Sequence, residues 1–199
     1  MKKGFFKNQY SNFDSFIKTQ LMVTFVTTFA WGIILPIITK LQGMLLTASV
    51  ISAYFILRHL SAFISPFFKN VTLKKVYKSI VIIDAIDLAS VCVYFIDPVI
   101  YICIEALIMF LYSIALTTFG INYDVFLVQK YGDSKFKDIQ YFENILFAIS
   151  AISGNAVVII MDAICFNTNV MMGIVMFVLF INLMFRLYNY KKFYRVAFG

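Results

Sequence analysis

The chain has 199 residues, of which 62% are hydrophobic and only 14% charged, and it carries 23 Phe and 12 Tyr. Soluble domains run at about 45–50% apolar and about 25% charged, and a chain this short leaves much of its surface exposed, so a soluble core is excluded and lipid must cover the excess. The net charge of +7 sits in short clusters between apolar runs with no nucleic-acid-binding motif beside it, which points to membrane topology and excludes nucleic acid as a partner.

Residues 1–19 mix Lys2, Lys3, Lys7 and Lys18 with Phe and Tyr, a composition suited to a cytoplasmic segment lying on the membrane surface. An apolar run of about 20 residues spans the hydrocarbon core as a helix, and six such runs follow. The first covers 20–39. It starts late and lacks an A-x-A cleavage pattern, so it reads as a retained helix, not a signal peptide. Pro36 is expected to kink it near its outer end. The second run covers 44–68 and ends around Pro66. The third covers 76–96, and Asp97-Pro98 separates it from the fourth, 98–128, proline being suited to a first helical turn. The segment QKYGDSKFKD (129–138) reads as a loop before the fifth run, 139–164. CFNTN (165–169) precedes the sixth, 169–188, and 189–199 is a cytoplasmic tail.

All Lys and Arg except Lys40 and Arg58 fall in the N-terminal segment, the 2–3 loop, the 4–5 loop or the C-terminal end, among them Arg186, Lys191, Lys192 and Arg195. Basic loops lie on the cytoplasmic side. Six spans put every one of these clusters on one face, and an odd number would not. The expected fold is therefore an all-α, polytopic bundle of six transmembrane helices, in a cell membrane (a bacterial cytoplasmic membrane is the expected one), with both termini cytoplasmic and the bilayer as its first partner.

Ionisable residues within membrane spans mark function by default. Arg58, Asp84 and Asp87 lie near mid-membrane on consecutive antiparallel helices, roughly 12–17 Å from their cytoplasmic ends at 1.5 Å per residue. Asp84 and Asp87 share a face. Two readings stand side by side: a substrate or proton-coupling site at the midplane, or an ion pair of Arg58 with one of the aspartates that straps two helices together. Glu105 is the fourth candidate, with only Lys40 in reach from the outer loop. Asp162 and Glu143 fall near interfaces. Ser150, Ser153, Gly154 and Asn155 suggest a face packed closely on another helix, and Trp31 reads as an interfacial anchor.

Cys92, Cys103 and Cys165 are widely spaced and the chain has one His, which supports no metal site, cofactor or disulfide framework. No H-E-x-x-H, G-x-S-x-G or P-loop occurs, so no enzyme is expected.

Six helices, a cytoplasmic N-terminus and a basic 2–3 loop resemble the N-terminal half of a major facilitator superfamily transporter. That family carries a loop motif G-x-L-A-D-R-x-G-R-[RK]-x between its second and third helices. The corresponding stretch is SPFFKNVTLKKVY (65–77), where Phe67 matches the apolar position and Lys74 and Lys75 fall at or next to the final basic positions. Ser65, Lys69 and Thr72 stand where the motif has glycine, an acidic residue and glycine. The resemblance implies a half-size or truncated transporter for a small molecule. Because the family has twelve helices, it also implies pairing with a second copy or a second half. The alternative is a non-transporting membrane protein such as a bacteriocin immunity factor or an accessory subunit. The substrate-binding subunit of an energy-coupling-factor importer is a third class of similar size, but the first helix lacks that class's A-x-x-x-A face.

Overall fold

The computed structural model describes residues 13–45, 56, 59–60, 63–68, 70–164 and 167–198, the last eight of these as backbone only. These residues form four α-helices and one 3₁₀ turn: α1 (Ser15–Leu45), the turn Ser65–Phe68, α2 (Leu73–Tyr94), α3 (Pro98–Ala163) and α4 (Thr168–Phe198). Three helices, α1, α3 and α4, are long and apolar enough to cross a membrane. Their exposed faces are rich in Ile, Leu, Phe and Met. This is the surface of an integral membrane protein, since nothing but lipid covers such faces without cost.

The expected count of six separate helices is not what the described residues form. The second expected span, with Arg58 in it, lies mostly outside them. The fourth and fifth expected spans belong to one element, α3. The segment 129–138, read from its composition as a loop, is helical except at Gly132, whose φ of 78° and ψ of 165° break the helix. Only glycine adopts this conformation without strain, so one residue does the work of a loop. The two arms, 98–131 and 133–163, then fold back on each other. Gln140 Nε2 donates to Asp124 Oδ1 at 2.8 Å, whereas 16 residues of straight helix would hold them about 24 Å apart. Tyr123 and Glu143 also meet across the turn.

Three of the four described helix starts have a side-chain cap. Asp14 accepts from the Ile17 amide at 2.9 Å. Asp97 accepts from the Val99 and Ile100 amides at 2.8 and 3.1 Å, with Pro98 in the first turn. Asn167 accepts from Val170 at 3.0 Å. All three satisfy amides that a helix N-terminus leaves free. Pro36 stands inside α1, which runs on as helix to Leu45.

The packing sorts the ends. Asp14 contacts Tyr131, Asn122 donates to the Val71 carbonyl, and Tyr77 stacks on Tyr190. The start of α1, the start of α2, the Gly132 turn and the later part of α4 therefore share one end of the bundle. Lys18, Lys74, Lys75, Lys78, Lys130, Lys135 and Lys137 lie on these segments. At the other end Lys40 pairs with Asp162 and Tyr94 donates to Asn169. Between the ends, α1 and the second arm of α3 touch backbone to backbone at Gly32 and Gly154, where a methyl built on Gly154 would lie 2.5 Å from the Phe29 carbonyl oxygen. Of the four small or polar residues expected to form a packed face, Ser150 and Gly154 are buried, Ser153 is half-buried and Asn155 is exposed, and the last two bond their own helix's carbonyls.

Candidate functional site

Four polar side chains from four helices meet in the apolar interior. Asp84, at the middle of α2, is fully buried, and its Oδ2 lies 2.9 Å from Arg186 Nε of α4. Arg186 Nη2 donates to the Tyr112 hydroxyl of α3 at 2.6 Å. Trp31 Nε1 of α1 donates to the same oxygen at 3.1 Å. The guanidinium also lies over the Tyr112 ring, 5.8 Å from its centroid, a favourable place for a cation. A buried charge needs this degree of pairing, because removal from water costs several kcal/mol per ion.

One helical turn along α2, the carboxyl of Asp87 makes a side-chain contact with that of Glu105 from α3. Both are buried. Neither Glu105 oxygen receives a hydrogen from another described side chain. Two carboxyls facing each other away from water require a proton between them, since neither has a hydrogen to offer when ionised.

The Arg186 cluster opens on a cavity of about 460 Å³, within the usual size of small-molecule sites. Its walls come from α1 (Gln20 to Pro36), both arms of α3 (Met109 to Phe119 and Phe147 to Asn155), Tyr77 and Ile80 of α2, and Arg186 of α4. Most of the wall is apolar. Thr24, Thr27, Thr28 and Ser113 add hydroxyls, and Arg186 is its one charged side chain among the described residues.

Comparison with family models, with curated proteins and with solved structures finds no match for this chain.

The sequence candidates are distributed as follows. Asp84 belongs to the Arg186 cluster, and Asp87 and Glu105 form the carboxyl pair behind it. Arg58 lies outside the described residues. Among the described residues the cation facing Asp84 is Arg186, counted by sequence with the basic C-terminal end. Lys40, expected as the partner of Glu105, pairs instead with Asp162. Trp31, expected at the interface, lines the cavity. A sequence signal for Arg186 does exist. Asn182, Arg186 and Asn189 recur at spacings of four and three, the first two within an otherwise apolar run from 170 to 187, and all three are buried. That is one polar stripe on the inward face.

Proposed function

We propose that this chain is a transporter-like membrane protein that binds a small molecule in the cavity beside Arg186. In this reading it acts as a half-size unit akin to one half of a major facilitator transporter, with six spans and cytoplasmic termini, paired with a second copy or a second half. The observation that carries the reading is Arg186 itself. It is almost wholly buried, as a strut would be, yet it also stands in the wall of a cavity at mid-bundle depth, where transporters hold their ligands.

A cellular assay tests it. A host expressing the chain is compared with one expressing an Arg186→Gln form and one carrying an empty vector, for accumulation of a panel of lipophilic and polar fluorescent compounds. Transport predicts altered accumulation of at least one compound with the native chain and loss of that difference with the variant. Equal accumulation of every compound in all three hosts sinks it.

A second reading is a non-transporting immunity factor or accessory subunit. The ties from α2 to α4 (Asp84 with Arg186) and from α1 to α3 (Lys40 with Asp162) favour it, because they suit a bundle with one fixed arrangement. Protection or complex formation without any change in uptake would select this reading.

A further inference from the structure

The hydrogen atoms around the cavity, not the charges, point to what it holds. The Tyr112 oxygen accepts from both Trp31 and Arg186, so its lone pairs are occupied and its own proton must be donated elsewhere. No acceptor for that proton occurs among the described residues. Arg186 Nε faces Asp84 Oδ2 as an ion pair and Nη2 donates to Tyr112, which leaves Nη1 with two further hydrogens. Two residues of the wall thus hold hydrogens that find no acceptor among the described residues, and unmade buried hydrogen bonds are costly. A molecule bearing an acceptor would complete them.

The charge balance then separates neutral acceptors from anions. Asp84 already neutralises Arg186, and among the described residues no Lys or second Arg lines the cavity. An anion on Arg186 would leave a net negative charge in a buried site with Asp87 and Glu105 close behind, which is strongly unfavourable. The rest of the wall is mostly apolar or aromatic, with uncharged polar groups from Gln20, Thr24, Thr27, Thr28, Ser113 and Asn155.

We infer that the cavity takes an uncharged, largely apolar molecule whose head is a hydrogen-bond acceptor such as a carbonyl, docked on Tyr112 and Arg186. This rests on the reading of the cavity as a binding site and narrows it to one ligand class.

Trp31 is the chain's one tryptophan and stands in the cavity wall, so its fluorescence reports occupancy. Three probes share one bromophenyl body, and bromine quenches indole fluorescence on contact: bromobenzene, 4-bromoacetophenone and 4-bromobenzoate. Each is titrated into the purified protein in detergent. The ketone is expected to bind more tightly than the carboxylate. The affinity ratio of ketone to bromobenzene is expected to fall by about tenfold in Tyr112→Phe, the worth of a buried hydrogen bond or two. Taking this ratio within each protein cancels partition into the micelle. The ranking of probes in the native chain is a second test that holds even if the variant does not fold. Tighter binding of the carboxylate, or an unchanged ratio in Tyr112→Phe, overturns the ligand class while the cavity reading stands. If none of the three probes quenches Trp31, the cavity reading falls together with the inference.

Discussion

Arg186 Nε lies 2.9 Å from Asp84 Oδ2, and both side chains are almost wholly buried. They join α4 to α2 across about a hundred positions of sequence. Removing one member leaves a bare charge in an apolar interior, which costs roughly 3–5 kcal/mol, whereas replacing both by apolar residues of similar volume is often neutral or stabilising. Asp84→Leu and Arg186→Met are each expected to lower the midpoint of thermal unfolding in detergent strongly. The double variant is expected to recover most of the loss. A double variant no more stable than either single one would refute the pairing.

The carboxyl pair behind it predicts the opposite response to a single change. Glu105→Gln gives Asp87 a permanent amide donor in nearly the same volume and removes one ionisable group from a buried contact. The variant is expected to unfold at the same temperature as the native chain or above it. Glu105→Leu, which leaves Asp87 without its partner, is expected to lose roughly 1–3 kcal/mol. A Gln form as unstable as the Leu form would mean that the pair is not held by a shared proton.

These two pairs show what the sequence reveals and what it hides. Asp84, Asp87 and Glu105 stand out because a charge in an apolar run is rare and costly. Their partners do not, because hydropathy marks where a helix crosses but carries no information on how it is rotated against its neighbours. Arg58 matched Asp84 in depth along the chain, yet the stripe of Asn182, Arg186 and Asn189 turns Arg186 toward that aspartate. The same limit applies at 129–138, where Gly, Asp, Ser and Lys read as a loop. A lone glycine with positive φ reverses the chain there, and the polar residues around it remain helical.

At the basic end, Asp14 ties the start of α1 to the Gly132 turn. Its carboxylate accepts from the Ile17 amide at 2.9 Å and from the Tyr131 hydroxyl at 2.6 Å. Partial burial pushes its pKa up, but these two hydrogen bonds and the nearby Lys130 and Lys135 outweigh it and hold the group below the ordinary 3.8. The folded value is depressed, so the tether's contribution is full above pH 3.8 and is lost as pH falls through the lower folded value. Amide hydrogen exchange in the first turn of α1 is expected to stay slow at pH 5 and to quicken below that window. Asp14→Asn should exchange faster at pH 5 and show a much weaker acid response. Identical exchange in the two proteins across this range would show that the tether carries no stability.

The contact between Gly32 and Gly154 gives the most local test of the helix packing. A β-carbon on Gly154 would lie 2.5 Å from the Phe29 carbonyl oxygen and 2.9 Å from the Gly32 α-carbon. Both obstacles are backbone, so neither can rotate aside and α1 must move off the second arm of α3. Overpacking of this kind typically costs about 1–3 kcal/mol. Gly154→Ala is therefore expected to destabilise, although alanine is the better helix former. Gly173→Ala is the control, since no atom lies within 4 Å of a β-carbon there; it is expected to be neutral or to stabilise by up to about 1 kcal/mol. Gly32 lines the cavity, as do Ala151 and Asn155 on either side of Gly154, so separation of the helices at this point should also widen it. Trp31 emission in Gly154→Ala is then expected to shift toward the red as its surroundings loosen and admit water. A Gly154→Ala protein with native stability and native emission would mean that α1 and α3 do not cross at these glycines.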